Sequence, residues 1–264
     1  MDTETAPGGS PKGWRLLDSE PDDPYRNMSI DEAIAQTVRS GELAPTLRFY
    51  AWRRPAVSIG YFQRLHEAVD LPRCLKDNIS VVRRLTGGKA VFHNREITYS
   101  VAAPTLRGLR NIQETYLTLS KGILQGLQRL GIAAELSHSR GQAAGTSFDC
   151  FAHAARNEIV VFDRKLVGSA QRRWRDGFLQ HGSILLSLDR PPQGYILGAD
   201  QSGAAISLSE LLPRPIDVKA VTEAIVSGLQ EVLALPIAPG VLSAQEIALA
   251  ERLEEKYRGW TARI

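Results

Sequence analysis

The residue types best suited to chemistry in this chain are a cysteine and a lysine fifteen positions apart, Cys150 and Lys165. A cysteine attacks carbonyl carbons as its thiolate, and a nearby ammonium group favours that ionised form. A positioned lysine also stabilises the oxyanion that forms when a thioester carbonyl is attacked. The pair therefore suits acyl transfer through a covalent thioester. The competing interpretation is structural, with a buried, inert cysteine and a lysine in a turn.

A glycine-containing segment between two strand-like runs could contact an anion. It runs from Arg83-Arg84 through Gly87-Gly88-Lys89 to His93. Glycines expose backbone N–H groups that side chains would otherwise cover, and the flanking cations suit phosphate or another anion. The spacing is not that of a Walker loop. A hairpin with solvated basic residues explains the same pattern without a ligand.

Other candidate groups give weaker signals. Cys74 falls in a short helical segment, where packing is the expected role. The five histidines show neither H-x-x-x-H spacing nor a cysteine at metal-ligand distance, so we expect no metal site. A Cys150–His153 pair is conceivable, but neighbours this close in a loop seldom face each other. Arg172–Arg175 suits either a nucleic-acid patch or a docking surface for an acidic carrier protein.

Both strands and helices must position these groups. Short runs rich in β-branched and aromatic residues predict strands over 46–51, 56–60, 79–83, 96–101 and 178–188. Apolar stripes at helical spacing predict helices from Ser29, over 111–130, from Asp217 and from Ser243. Ser29/Glu32 and Ser243/Glu246 have the capping-box pattern. A hairpin is expected to join 158–162 to 165–171, with its turn at Asp163-Arg164.

Length and composition fit a globular protein of the α+β class. The chain has 264 residues, 43% hydrophobic and 23% charged, and its strand runs are interleaved with few helices. We expect a central mixed β-sheet flanked by helices. Residues 1–13 have the composition of a disordered leader, and we expect 14–264 to form a single domain. Its core would cover about 41–230 and its C-terminal helical extension about 217–258, with a possible seam over 191–215.

Charge and hydropathy exclude two broad classes. A net charge of +3 is too weak to predict nucleic-acid binding. The apolar runs are far shorter than the roughly 18 residues that a membrane span needs, and the N-terminus lacks the signal-peptide pattern. We therefore expect a cytoplasmic protein with two reduced cysteines. We expect it to be a monomer.

Five stretches, in the same order along the chain, resemble the biotin/lipoate protein ligase superfamily and, within it, the LipM-type octanoyltransferases. They are Asn27–Glu32, Arg48–Gln63, Arg83–Ser100, Lys165–Gln171 and Gln180–Leu186. The resemblance covers about residues 14 to 258. It implies an α+β catalytic domain, biotin/lipoate ligase-like with C-terminal helices. In such a domain the glycine-rich segment and the central sheet enclose a fatty acyl chain.

The resemblance also implies a reaction and a site. Octanoyl would pass from octanoyl-acyl carrier protein to a lysine of a lipoyl-domain protein such as the glycine cleavage H protein, in lipoate biosynthesis and without ATP or a metal. Cys150 would be the nucleophile, and Lys165 would contact the acyl carbonyl and activate the cysteine. The implied substrate-binding residues are Arg83, Gly87, Gly88, Lys89, His93, Ser100, Gly168, Ser169, Ala170, His181 and Gly182.

One departure from the family pattern leaves alternatives open. Phe151–Ala155 follows Cys150 where the family has an Asp-Ala-Pro-Ser-like turn, which puts the local backbone and the choice of acceptor in doubt. An ATP-dependent lipoate-protein ligase would use Lys165 without Cys150. An octanoyl amidotransferase between lipoyl domains would use both residues. A non-catalytic carrier-docking protein and a nucleic-acid binder are the alternatives that are not enzymes.

Overall fold

The computed structural model describes residues 13–105, 109–138, 150–151, 157–188, 194–198 and 204–262. Of the predicted leader, only Gly13 is among these residues. His153 lies outside them. The strands are β1 (Trp14–Asp18), β2 (Thr46–Tyr50), β3 (Ala56–Ile59), β4 (Ser80–Arg83), β5 (Val91–His93), β6 (Glu96–Pro104), β7 (Glu135–Leu136), β8 (Ile159–Val161), β9 (Arg164–Arg173), β10 (Gly177–Leu185) and β11 (Ile237–Pro239). The helices are α1 (Pro24–Arg39), α2 (Leu65–Ala68), α3 (Leu71–Lys76), α4 (Ile112–Arg129), α5 (Leu208–Leu211), α6 (Val218–Leu233) and α7 (Ala244–Ala262).

The strands form a large mixed sheet and a small one. Within the described residues, the large sheet has eight strands in the order β11-β1-β2-β6-β10-β9-β8-β7, and the small sheet has three in the order β4-β3-β5. In the large sheet, β1 pairs in parallel with β11 and β2, whereas the pairs from β2 to β7 are antiparallel. This arrangement confirms the predicted α+β class with a central mixed sheet.

Alternation of side chains along the strands gives the large sheet two different faces. Val101 and Phe178 belong to the apolar cluster that contains the buried residues of α4 and α6. Their neighbours Ala102 and Leu179 belong to the cluster of α1 and α7. The helices predicted as a C-terminal extension thus lie one on each face, and the division into core and extension stays a prediction.

Helix α1 begins five residues before the predicted start at Ser29. Asp23 caps it, accepting a 2.9 Å hydrogen bond from the backbone N–H of Arg26, and Pro24 occupies the first turn. Proline suits that position because its fixed φ is helical and its missing N–H would have no partner there. Ser29 is buried inside the helix, so the prediction of a capping box at Ser29 is wrong. The box at Ser243 is confirmed.

The hairpin between β8 and β9 turns one residue earlier than predicted. Val161 pairs with Arg164, so the turn residues are Phe162 and Asp163, with φ of 51° and 59°. A two-residue turn with positive φ at both positions matches the twist of the flanking strands. Strands β1, β5, β7 and β11 were not predicted. All but β1 have only two or three residues, too few to show an alternating pattern.

Candidate active site

A pocket lies between the two sheets, on the α1 side of the large one. It encloses about 370 Å³ of empty space, which includes the open solvent at its mouth. The large sheet contributes Gly168 and Ala170 of β9 and His181 of β10 to its wall. The small sheet contributes His93, and Cys150 lines the same pocket. Groups from distant parts of the sequence therefore meet around one space.

Cys150 and Lys165 are in direct contact in this pocket. The Lys165 ammonium nitrogen lies 3.8 Å from the Cys150 sulfur and donates hydrogen bonds to the Cys150 carbonyl oxygen (2.8 Å) and to a Glu158 carboxylate oxygen (2.7 Å). The lysine side chain is only 1% exposed. Gly168 leaves room for it, because a Cβ there would lie 3.0 Å from both Lys165 Cε and the Phe151 ring. The ammonium is thereby held beside the sulfur.

The glycine-containing segment is anchored by a buried arginine. Arg84 Nη2 donates to the carbonyl oxygens of Gly87 (2.8 Å) and Lys89 (2.6 Å). Burial disfavours the charged guanidinium and lowers the pKa of Arg84 to about 10. The Cys150 backbone N–H in turn donates to the carbonyl oxygen of Ala90, at 2.9 Å. The position of Cys150 therefore depends on the position of this segment.

His93 forms part of the pocket wall and is fixed through both ring nitrogens. Nδ1 is 2.8 Å from a Glu96 carboxylate oxygen, and Nε2 is 2.7 Å from the Ser58 hydroxyl. The ring also stacks on Trp52, with 3.9 Å between centroids. These contacts hold the His93 ring in a fixed position in the pocket wall.

Beneath the pocket, a cluster around Asp31 connects α1 to the large sheet. One Asp31 carboxylate oxygen accepts hydrogen bonds from Arg48 and Ser100, both at 2.8 Å, and the other lies 3.6 Å from His181 Nδ1. Burial alone would raise the pKa of Asp31, but its contacts with His181 and Arg48 outweigh burial and hold the pKa below its usual value. Burial lowers the pKa of His181. His181 Nε2 is 2.6 Å from the Thr86 hydroxyl of the glycine-containing segment.

The structure brings most of the sequence-predicted site residues together. Seven of them line the pocket: Cys150, His93, Gly168, Ser169, Ala170, His181 and Gly182. Lys165 contacts Cys150 but is not itself a lining residue. Ser100 lies beneath it against Asp31, and the segment 87–89 contacts Arg84 through main-chain carbonyl groups. Arg83 is not among the pocket-lining residues. Its guanidinium donates to the carbonyl oxygens of Gly60, Tyr61 and Gln63 and stacks on Trp260.

Sequence analysis did not identify three residues that support the site: Arg84, Asp31 and Glu158. Nothing in the pair Arg83-Arg84 indicates which arginine points inward. Asp31 stands seventeen residues before its partner Arg48 and in a different element. The apolar stripe of its helix predicts packing and gives no sign of a buried carboxylate. Glu158 could have been found, because the predicted hairpin joins a strand that starts at 158 to one that starts at Lys165.

Two further properties of the described part of the chain concern ligands and membranes. It contains no group of three His, Cys, Asp or Glu side chains placed to hold a metal ion. No helix within it is long and apolar enough to cross a bilayer.

Comparison with known proteins gives consistent matches. Residues 23–230 match the family described as lipoyl protein ligase A/B catalytic domain. Octanoyltransferase LipM of Moorella thermoacetica is 40% identical, over 92% of this chain and 95% of its own. That of Symbiobacterium thermophilum is 41% identical at the same coverage. Among solved structures, a lipoate-protein ligase A bound with ATP superimposes with a TM-score of 0.80 at 24% identity, covering 92% of this chain and 95% of that one.

Proposed function

Because the chain belongs to the lipoyl protein ligase A/B catalytic domain family, as an octanoyltransferase of the LipM type, we propose that it uses Cys150 as an acyl-carrying nucleophile. The donor is octanoyl-acyl carrier protein, and the acceptor is a lysine of a lipoyl-domain protein such as the glycine cleavage H protein. The observation that carries this proposal is the 3.8 Å contact between the Cys150 sulfur and the Lys165 ammonium nitrogen at the pocket.

In the first step the Cys150 thiolate attacks the carbonyl carbon of the donor thioester. A new carbon–sulfur bond forms, the bond to the carrier thiol breaks, and the departing thiolate takes a proton from solvent. The Lys165 ammonium nitrogen, 3.8 Å from the sulfur, lies close enough to face the developing oxyanion. Glu158 supports this role, because its carboxylate fixes the ammonium at 2.7 Å.

In the second step the acceptor lysine attacks the acyl-enzyme as a neutral amine. Its nitrogen forms an amide with the octanoyl carbon, loses a proton and expels the Cys150 thiolate, which is then ready for another donor. Both steps start from an activated acyl group, so the carrier thioester supplies the free energy. The proposed reaction therefore needs neither ATP nor a metal ion.

The substrate-binding part of the proposal follows the pocket. The acyl chain lies between β9 and β10 on one side and the His93–Trp52 stack on the other, with Gly168 leaving room for the Lys165 side chain beside it. The glycine-containing segment 87–89 closes the site from the small-sheet side. The proposal includes a monomeric enzyme in the cytoplasm, where a free thiol nucleophile stays reduced.

Intact-protein mass spectrometry tests the covalent step. The protein is mixed with octanoyl-acyl carrier protein without ATP, alongside Cys150→Ser and a matched control, Cys74→Ser. Burial raises the pKa of the Cys74 thiol to about 11, so Cys74 makes a poor nucleophile. We expect one added octanoyl group on the wild type and on Cys74→Ser, none on Cys150→Ser, and discharge when apo H protein is added.

The structural similarity to lipoate-protein ligases makes ATP-dependent ligation the second candidate. It predicts no adduct from the carrier thioester, and acceptor modification only when ATP and free octanoate or lipoate are supplied. That result would replace the transferase proposal. Faster loading from octanoyl-H protein than from octanoyl-acyl carrier protein would identify an amidotransferase instead.

A further inference from the structure

A groove beside the candidate active site carries several basic and aromatic side chains. We call it the Arg172 groove. One of its walls consists of Arg172, Trp174, Tyr61 and Leu85. Helices α1 and α7 form its other wall, with Arg39 and Lys256 among the lining residues. It encloses about 580 Å³ of empty space, including open solvent. The groove is large enough to take a ligand that extends beyond the first pocket.

The charges in this groove are not equally neutralised. Arg39 is paired with Asp176 at 2.8 Å and Lys256 with Glu32 at 2.7 Å. Arg172 has no carboxylate partner in the part of the chain that the structure describes, where its one hydrogen bond is to the Leu85 carbonyl oxygen, at 3.3 Å. A guanidinium has five N–H donors, so most of this donor capacity is free of acceptors among the described residues.

The Arg172 guanidinium is also held in a defined plane. Its central carbon lies 4.5 Å from the centroid of Tyr61 and 4.9 Å from that of Trp174. Stacking against aromatic rings fixes the plane of an arginine and leaves its edge available for bidentate bonds to an anion. An unpaired, preorganised guanidinium of this kind suits a phosphate group.

The groove lies on the same face of β9 as the pocket that contains Cys150. The glycine-containing segment packs between them, where Thr86 contacts His181 and Leu85 contacts Arg172. Side chains two apart share one face of a strand, so Gly168, Ala170 and Arg172 follow one another along the same face of β9. The first two line the pocket that contains Cys150. At about 3.3 Å per residue, Arg172 is about 13 Å along the strand from Gly168.

We propose that the Arg172 groove binds the phosphodiester of the phosphopantetheine arm on which the carrier protein presents the acyl thioester. This rests on the proposed function. Thirteen bonds separate the phosphorus from the thioester sulfur in that arm. It therefore spans about 15 Å when extended, by the dimensions of a peptide chain. That length is close to the separation of about 13 Å along β9 between Arg172 and Gly168, which would bring the thioester carbonyl near Cys150.

Three donors test the proposal, because they differ only in what is attached to the octanoyl thioester. They are octanoyl-acyl carrier protein, octanoyl-phosphopantetheine and octanoyl-pantetheine, and each is assayed with wild type, Arg172→Ala and Arg172→Lys. Loss of a charge-assisted hydrogen bond predicts a KM about 10 to 100 times higher for the two phosphate-bearing donors with Arg172→Ala. We expect no change in kcat and no change of KM for octanoyl-pantetheine. Arg172→Lys keeps the charge without the planar fork and should lie between.

Arg175→Ala is the matched control, since Arg175 is an exposed arginine of the same segment that does not line the groove. Thermal unfolding of each variant, together with Arg172→Gln, shows whether an effect comes from misfolding. Equal losses with all three donors would overturn the proposal, and so would a loss confined to the intact carrier protein. Failure of the wild type to form an acyl-enzyme with any donor would instead reject the proposed function.

Discussion

The Lys165–Glu158 pair is the side-chain interaction on which the proposed chemistry depends most. Both groups are almost fully buried, with 1% and 6% of their side chains exposed. Two charges removed from water stabilise one another, but either one alone would be strongly unfavourable. The same pair therefore holds the ammonium to which we assign a catalytic role and contributes to folding.

Variants of this pair separate the two roles. Lys165→Met leaves the buried Glu158 carboxylate without its cation, and we expect the free energy of unfolding to fall by about 3–5 kcal/mol. Adding Glu158→Gln to Lys165→Met removes the buried negative charge and should restore most of the stability but none of the acyl transfer. Denaturant unfolding and acyl-enzyme formation measure the two quantities. Recovery of acyl transfer in the double variant would contradict a catalytic role for Lys165.

The sequence indicated chemistry-bearing residues better than it indicated their supporting contacts. The resemblance placed Cys150 and Lys165 together, and the structure puts their functional atoms 3.8 Å apart. The same sequence could not separate Arg83 from Arg84, because which of two adjacent arginines points inward depends on the end of β4 and on the segment that follows it. Asp31 was invisible for a similar reason, since its partners come from other elements.

At the scale of elements, the end of β3 determines where the glycine-containing segment lies. A Cβ on Gly60 would lie 1.9 Å from the carbonyl oxygen of Gly88, so no side chain fits at residue 60. Gly88 has φ of +87°, which favours glycine, whereas a Cβ on Gly87 would meet nothing within 4 Å. The backbone at Gly60 is therefore in close contact with the backbone at Gly88, whereas there is open space beside Gly87.

Alanine substitutions at these glycines should have very different effects. Gly60→Ala forces the glycine-containing segment away from β3, and we expect it to lower the free energy of unfolding by about 1–3 kcal/mol. Because the Cys150 backbone N–H donates a hydrogen bond to the carbonyl oxygen of Ala90 in that segment, acyl-enzyme formation should slow as well. Gly87→Ala should change stability by less than about 0.5 kcal/mol. Thermal unfolding compares the two, and similar losses in both would refute the close-contact explanation.

The boundaries of elements were harder to predict than their existence. The stripe Ile30, Ala33, Ile34 and Val38 is buried as a helical face should be, yet α1 starts earlier because Asp23-Pro24 is a better helix start than Ser29. Strands of two or three residues, such as β7 and β11, owe their existence to neighbouring strands rather than to their own pattern. Local propensity cannot reveal such strands.

At the scale of the whole molecule, the Asp31 cluster joins α1 to β2, β6 and β10 across the middle of the large sheet. His181 is fully buried in this cluster, and its pKa lies below the ordinary value of 6.5. Asp31 and Arg84 face it, as does His93. At a pH between the lowered pKa of the folded state and the ordinary pKa of the unfolded state, His181 binds a proton in the unfolded chain but not in the folded one. The stability of the protein should therefore fall as the pH drops through about 6.5.

Chemical denaturation at a series of pH values checks this expectation. His181→Gln should flatten the decline below pH 6.5, where one proton accounts for at most about 1.4 kcal/mol per pH unit. Asp31 adds a loss only at lower pH, because its own pKa is depressed in the folded state. His66→Gln is the control, since the His66 side chain is 79% exposed. An unchanged slope in His181→Gln would show that other groups carry the acid sensitivity.

Among the residues that the structure describes, the large sheet ends in very short strands, β7 with two residues at one edge and β11 with three at the other. Unpaired backbone groups at a sheet edge are the usual starting point for strand-to-strand aggregation between molecules. These edges offer few such groups, and Pro239 in β11 removes a donor from one of them. The molecule can thus keep a wide sheet at the centre of its fold while these edges offer few unpaired backbone groups to a strand of another copy.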